Sequence, residues 1–479
     1  MVSEYANYVD GEWIDANSGE TFRTYDPATP DEAVATYPQS DVEDTEVAIE
    51  AAVDASETWG SMPSPERGRV LSRASVLLDE RKDELTELLV REEGKTRSEA
   101  GGEVQRAIDI FDYYGAKASD LGGTVKSSSA RNTNLYTENE PLGVAGLITP
   151  WNYPIAIPAW KIAPALAAGN AAVIKPASLA PGVVHEMAKA LDEAGLPDGV
   201  LNVVTGPGSK VGDTIASHPD VDAISFTGST AVGNTVYDTA TDDGKRVQLE
   251  MGGKNPTVVS DSADVEEAAD IVASGAFGVT GQACTACSRA IVYEDVYDEF
   301  VDAVVERAKE IEPGPGLDDP DMGPHVNESE LESTVDYVEV GKREGATLET
   351  GGAALDREGY FVEPAVFSDV DPDYRIAQEE IFGPVLSIIP VSGYEEALEI
   401  ANGVEYGLSA SIVTDDHTEA NRFVDEAESG VVKINEKTTG LELHVPFGGV
   451  KASSSETYRE QGDAGLDFYT ISKTVYDNY

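Results

Sequence analysis

The sequence predicts an α/β protein organised around largely parallel sheet, and three observations carry that reading. From residue 142 onward short apolar runs alternate with helical segments, a second series of the same kind begins after residue 281, and two alternating stretches, 131–138 and 467–476, stand outside both. Strand and helix in alternation is the pattern of βαβ units, whose helices cover the faces of a parallel sheet. The chain of 479 residues is long enough for two or three such structural units.

Residues 44–59 read as a helix that Asp44 or Thr45 can cap, with Val47, Ala51 and Ala55 on one face. A second helix is expected over 63–93, opened by Pro63 and Pro65 and carrying Leu71, Leu77, Leu78, Leu85, Leu88 and Leu89 at helical spacing. The first α/β series has strands at 142–149, 171–175, 201–204, 223–226 and 257–259. Helices at 158–168, 181–194, 209–217, 229–240 and 264–280 lie between and after them. The second series has strands at 290–293, 385–391 and 409–413 and a helix at 295–311, with a loop marked by Pro313-Gly314-Pro315-Gly316 and the acidic stretch 318–321. The two outlying stretches suit a small protruding sheet in which 467–476 pairs with 131–138.

Lys and Arg total 33 against 89 Asp and Glu, a formal charge of −56. Such a surface repels nucleic-acid phosphates and anionic lipids, so neither nucleic acid nor membrane is expected as a partner. The acids run from Glu43-Asp44 to Asp463 rather than forming a tail. Their mutual repulsion is relieved in concentrated salt, where the Debye length is about 3 Å at 1 M, so a salt-rich, halophilic cytoplasm is the expected setting; an ordinary acidic enzyme is the plain alternative. The N-terminus has no basic and apolar leader and there is no run of about 18 apolar residues, which points to a soluble, intracellular protein. Two cysteines and five dispersed histidines make neither a disulfide framework nor a zinc site, and no metal is expected.

Several short motifs fall at the ends of the expected strands. Phe226-Thr227-Gly228-Ser229-Thr230-Ala231-Val232-Gly233 leads from a strand into a helix, where Ser229 can cap and free N–H groups can face a phosphate; alone, such a turn is more often structural. Pro150-Trp151-Asn152 and Lys175-Pro176-Ala177-Ser178 also end strands, where open α/β sheets bind ligands. Asn152 offers an uncharged amide donor or simply bonds its own turn, and Lys175 offers a cation for a ribose or phosphate or is an ordinary surface lysine. Glu250 precedes Gly252-Gly253, and a lone glutamate there is usually exposed. Cys284 and Cys287 lie in Gly281-Gln282-Ala283-Cys284-Thr285-Ala286-Cys287; each alone reads as a small buried hydrophobe, but a thiol and a carboxylate together serve covalent oxidation of an aldehyde.

In order, Pro-Trp-Asn, Lys-Pro-Ala-Ser, Phe-Thr-Gly-Ser-Thr, Leu-Glu-Met-Gly-Gly-Lys, Gly-Gln-x-Cys, Glu379-Glu380-Ile381-Phe382-Gly383-Pro384 and Pro446-Phe447-Gly448-Gly449 resemble the aldehyde dehydrogenase superfamily over nearly the whole chain. The resemblance implies a Rossmann-type dinucleotide-binding domain (1–120 and 141–252), an α/β catalytic domain (253–450) and a small oligomerisation sheet (121–140 and 451–479) in a homodimer or homotetramer. It implies Cys284 as nucleophile, passing through a thiohemiacetal and a thioester, Asn152 and the Cys284 N–H as oxyanion hole, and Glu250 as general base. Trp151, Lys175, Ser178, Gly228, Ser229, Gly233, Glu380 and Phe382 would hold the dinucleotide. Many NAD-preferring relatives carry glutamate where Ser178 stands; a carboxylate would repel a 2′-phosphate and serine would not, so NADP is the expected preference, with NAD accepted.

The segment Ile434–Gly449 with Lys451 and Arg459-Glu460-Gln461-Gly462 is similar to the subgroup that oxidises 2,5-dioxopentanoate (α-ketoglutarate semialdehyde) to 2-oxoglutarate in pentose or sugar-acid breakdown. Lys437 or His444 would meet the substrate carboxylate, and Trp160 and Phe447 would line the tunnel. Succinic semialdehyde, glyceraldehyde or a broad range of aldehydes are the alternatives, as are a CoA-acylating enzyme and a catalytically silent relative. Cys287 either packs or traps an oxidised Cys284.

Overall fold

The computed structural model describes residues 2–479 and contains two seven-stranded sheets, one between residues 7 and 250 and the other between 255 and 434. The first orders its strands as Arg246–Glu250, Ala223–Thr227, Val144–Ile148, Ala171–Lys175, Leu201–Val203, Asn7–Val9 and Glu12–Ile14. The five from Arg246 to Val203 are parallel and almost wholly buried, since helices cover both faces. From Val144–Ile148 the chain steps outward on one side to Leu201–Val203 and then returns to the other side with Ala223–Thr227. The loops after Ile148 and Thr227 therefore diverge and open a crevice at the carboxyl ends of the strands, the place where sheets of this kind take ligands.

The second sheet runs Thr347–Thr350, Ala365–Ser368, Val385–Val391, Cys287–Tyr293, Asn255–Val259, Ser409–Val413 and Val431–Ile434, all parallel except for the first pair. Only the short segment Met251–Lys254 separates the last strand of one sheet from a central strand of the other. That link brings Glu250 and the Cys284 loop into one region. The outlying strands pair as expected, Thr470–Asn478 antiparallel to Thr133–Pro141, and Val125–Ser127 adds a third strand. No helix among the described residues is long and apolar enough to cross a membrane.

The helix expected over 63–93 is two helices, Ser64–Glu80 and Lys82–Glu93, which meet at Arg81 (φ −106°, ψ 9°). The apolar stripe continues through Leu78 and Leu85, both buried, so the break leaves no mark on the periodicity. A helix at Arg97–Lys117 was not expected, although Thr96 and Glu99 form a capping box at its start. The N-terminal hairpin Asn7–Val9 to Glu12–Ile14 likewise turns on Asp10-Gly11, both at positive φ, the usual chemistry of a two-residue hairpin turn.

Candidate active site

Cys284 follows a short turn in which Val279, Thr280 and Gly281 all have positive φ (51°, 56° and 67°). At Gly281 a Cβ would stand 2.3 Å from the Gly383 carbonyl, so only glycine lets this loop lie against the Phe382–Pro384 loop. Asn255 Nδ2 donates to the carbonyls of Cys284 and Ala286, each at 2.8 Å, and fastens the loop from the other side. Among the described residues the Cys284 N–H donates to no backbone carbonyl and is left for a ligand. Burial, reinforced by the charges of Glu380, Glu250 and Glu460, pushes the thiol up to about 12. At rest Cys284 is therefore a thiol, and its sulfur becomes a thiolate only by giving its proton to an acceptor.

Asn152 is buried beside Cys284 at the end of the strand Val144–Ile148, and its Nδ2 donates to the Gln282 carbonyl at 3.0 Å. The Gln282 side chain in turn accepts from His325 Nδ1 and the Val326 N–H, both at 3.1 Å. A buried ion pair holds Asn152 from behind. Lys95 Nζ lies 2.6 Å from Glu103 and donates to the Asn152 carbonyl at 2.8 Å, while Glu103 accepts the N–H groups of Ile155 and Ala156 at 3.0 and 3.1 Å. Burial works against the Lys95 charge, but Glu103 and Glu93 hold it above the ordinary lysine range. Lys95, Glu103 and Asn255 were not foreseen, because nothing in their local sequence marks them as more than helix or strand residues.

Two cavities meet at Cys284. The first is lined by Trp151, Asn152, Thr227, Gly228, Ser229, Glu330, Glu380 and Phe382, and it lies in the crevice at the carboxyl ends of the first sheet. Phe382 has a left-handed backbone (φ 59°) and meets Trp151 edge-on at 5.4 Å. Glu380 accepts the Gly253 N–H at 2.9 Å, and burial lifts its carboxyl to about 7. The second cavity, about 430 Å³, is lined by Arg106, Tyr153, Ile157, Trp160, Lys437, Leu441 and Phe447 together with Cys284. A larger depression of about 610 Å³ around Ser333, Asp336, Arg343 and Arg375 is open and holds none of these groups.

Glu250 is 2% exposed and lines neither cavity. Its carboxylate accepts the Gly449 N–H at 3.0 Å and would collide with a Cβ on Gly448, 2.4 Å away. Behind it Lys161, fully buried, is paired with Glu460 and donates to Ser225 at 2.7 Å. Burial and the charge of Glu460 raise the Glu250 carboxyl well above the usual range. Glu460 sits in a motif already singled out and Lys161 does not, and their pairing spans 299 positions and has no local signature.

Three expectations need correction. Ser229 occupies the N-cap of Thr230–Asp242, but its hydroxyl caps nothing, which leaves the first-turn N–H groups free. Gly233 faces Met251 rather than the cavity; a Cβ there would come within 2.5 Å of the Met251 sulfur, so its smallness serves helix packing. His444 is 59% exposed, lies 3.7 Å from Glu442 and does not line the second cavity, because its loop turns outward after Leu441. Lys437 lines the mouth of that cavity and donates to Ser274 at 3.3 Å. Lys175 and Ser178 lie beyond the first cavity, at the end of the adjacent strand. Lys175 Nζ reaches only the Pro176 carbonyl, and burial lowers it to about 8; Ser178 donates to the Gly206 carbonyl at 3.3 Å. Cys287 is buried against Thr257 and the Arg289 carbonyl, with its sulfur in the core of the second sheet.

A thiol at the junction of two cavities, flanked by an amide donor, a backed carboxylate and a crevice over a parallel sheet, is the arrangement of an α/β enzyme. Residues 13–475 match the family model described as aldehyde dehydrogenase family, and the chain belongs to that family. It is 66% identical to the alpha-ketoglutarate semialdehyde dehydrogenase of Haloferax volcanii over the full length of both chains. It is 45% identical to the 2,5-dioxopentanoate dehydrogenase of Saccharolobus solfataricus, over 98% of each. Among solved structures, the NAD+ complex of an aldehyde dehydrogenase from Bacillus cereus superposes with a TM-score of 0.96 at 36% identity, covering 99% of this chain and 97% of that one. The NAD+ complex of betaine aldehyde dehydrogenase from Staphylococcus aureus gives 0.96 at 35%, covering 99% and 94%.

Proposed function

We propose that this protein is an NAD(P)-dependent dehydrogenase that oxidises 2,5-dioxopentanoate to 2-oxoglutarate, with NADP preferred. The observation that carries the reading is the position of Cys284, which faces both cavities at once. The Haloferax and Saccharolobus relatives support the substrate, and the NAD+-bound relatives support a dinucleotide in the first cavity.

The residues of the first cavity fit a dinucleotide. Among the described residues the Thr227 hydroxyl is buried without a partner, the helix at Thr230 presents an uncapped N-terminus, and Lys175 is a buried cation without a carboxylate partner. Lys175 and Ser178 would hold the adenosine end, Gly228 and Ser229 the phosphates, and Glu380, Phe382 and Trp151 the nicotinamide end. When bound, the cofactor accepts a hydride. Ser178 brings no charge to repel a 2′-phosphate, which supports the NADP preference.

The aldehyde enters by the second cavity, and the Cys284 sulfur adds to its carbonyl carbon as the thiol proton passes to Glu250, which returns it to solvent before the hydrolytic step. The free N–H of Asn152 and the Cys284 backbone N–H stabilise the oxyanion, one such donor being worth about 3 kcal/mol. The Glu250 side chain then turns from the Gly449 N–H into the site, takes a proton from water, and frees the acid from the Cys284 thioester. Glu250 also separates this chemistry from transfer to coenzyme A. We assign the outlying three-stranded sheet to subunit association as dimer or tetramer, supported by its exposed Val125, Ile471 and Tyr476.

The test is NADPH and NADH formation in molar KCl without coenzyme A, with 2,5-dioxopentanoate beside succinic semialdehyde, glyceraldehyde and propanal. A clear kcat/KM advantage for 2,5-dioxopentanoate is expected. A flat profile would remove the substrate assignment, and a requirement for coenzyme A would replace hydrolysis by acyl transfer.

A further inference from the structure

The second cavity contains two carboxylates and two cations, and their states are opposite. Glu103 is spent on Lys95 and on the N–H groups of Ile155 and Ala156. Glu99 is spent on the N–H groups of Val279 (2.6 Å) and Thr96 (3.0 Å), which cap a helix and fix the turn before the nucleophile. Neither is left to face a ligand. Arg106, by contrast, has no carboxylate within ion-pair distance among the described residues, in a chain where acids outnumber Lys and Arg 89 to 33. A single one of its N–H groups is engaged, by Gln461 Oε1 at 2.9 Å. This arginine lines the wall of the cavity that holds Cys284, with the charges of Glu442 and Asp109 near it but not paired to it.

A second observation points the same way. The Trp160 indole N–H, buried in the wall of the same cavity, has no hydrogen-bond partner among the described residues. An unpaired buried donor is costly unless something that enters the cavity satisfies it. Lys437 is the other cation, but it is exposed and its ammonium already touches Ser274, so salt screens it most where this protein is expected to work. Arg106 is half-buried, and a guanidinium fork matches a carboxylate in two parallel bonds where an ammonium is a point charge.

We infer that Arg106 is the substrate-carboxylate anchor: it binds the carboxylate of an anionic aldehyde while Cys284 takes the aldehyde carbon, and the Trp160 N–H supplies a further donor to the same ligand. The inference rests on the substrate reading above and replaces Lys437 and His444 as the main anionic contact. Gln461 positions Arg106 by accepting one N–H and leaving the others unengaged among the described residues. The aldehyde and carboxylate ends of 2,5-dioxopentanoate are thereby held apart, so that only the aldehyde reaches the thiol.

The experiment compares wild type with Arg106→Met, Arg106→Lys and Lys437→Ala, using 2,5-dioxopentanoate, succinic semialdehyde and propanal. A charge-assisted pair of this kind is worth roughly 10- to 100-fold in affinity, so Arg106→Met should raise KM for the anionic aldehydes by about that factor and leave propanal unchanged. Arg106→Lys should recover part of the loss, and Lys437→Ala should have a smaller effect. An independent reading needs no cofactor: glutarate should slow iodoacetamide alkylation of Cys284 in wild type and not in Arg106→Met. Equal changes for propanal and the anionic aldehydes, or undiminished glutarate protection in Arg106→Met, would overturn the assignment. If wild type shows no preference for 2,5-dioxopentanoate, the substrate reading falls; Arg106 is then judged on succinic semialdehyde and glutarate, where a selective loss upholds it and a uniform one overturns it.

Discussion

Lys95→Met tests whether the buried ion pair behind Asn152 acts on catalysis. The substitution keeps the length of the side chain and removes the ammonium, which sits 2.6 Å from Glu103 and 2.8 Å from the Asn152 carbonyl. Lys95 is 1% exposed, so no water replaces it. Breaking a buried pair typically costs roughly 3–5 kcal/mol, a figure that proton uptake by Glu103 would reduce, and a lower Tm is expected. For catalysis the upper limit is the loss of Asn152 itself, about 10²–10³ in kcat for one oxyanion donor. Because Asn152 keeps its bond to Gln282, the expected loss in Lys95→Met is about ten-fold, carried by kcat rather than KM. The assay is a double-mutant cycle with Asn152→Ala, in which groups that act through one another do not add. Lys95→Met should therefore change kcat little when Asn152 is already alanine. Multiplying losses, or an unchanged kcat in well-folded Lys95→Met, would refute the positioning role.

Ser178→Glu should shift the ratio of kcat/KM for NADP to that for NAD toward NAD, because a carboxylate would repel the 2′-phosphate; an unchanged ratio would show that Ser178 does not face the adenosine ribose. Glu460→Gln should move the acidic, rising limb of the pH–kcat profile to lower pH. Glu250 acts as a base only when deprotonated, its carboxyl is raised by burial and then by the charge of Glu460, and removing that charge frees Lys161 to favour the carboxylate. A limb that stays or moves upward would contradict the coupling. Cys287→Ser should leave kcat/KM unchanged, and dithiothreitol should act alike on the peroxide-treated variant and wild type, since the Cys287 sulfur is turned to Thr257 in the core. Reversal by dithiothreitol in wild type alone would show that Cys287 traps the oxidised nucleophile.

The parallel strands Ala171–Lys175, Val385–Val391 and Ser409–Val413 fall where the sequence places them, because strands covered on both faces are short runs of mostly apolar or small residues. Trp151, Gly228, Glu380 and Phe382 sit in motifs at strand ends, and topology carries strand ends to one crevice. What could not be read are pairings across long separations: Lys161 with Glu460, the approach of Gly281 to Gly383, and Glu103 on the N–H groups of Ile155 and Ala156. Arg106 was not singled out, because the helix that carries it was itself not expected, and only the folded chain brings it to the cavity. His444 was misplaced for the converse reason: a motif gives residue type, not the direction in which its loop turns.

The most direct test of the central claim, covalent oxidation at Cys284 with release by Glu250, is intact-protein mass spectrometry of Glu250→Gln mixed with 2,5-dioxopentanoate and NADP. The account predicts one acyl adduct that accumulates on Cys284 with a single equivalent of NADPH, and none in Cys284→Ala. Continued turnover without an adduct, or an adduct on another residue, would contradict it.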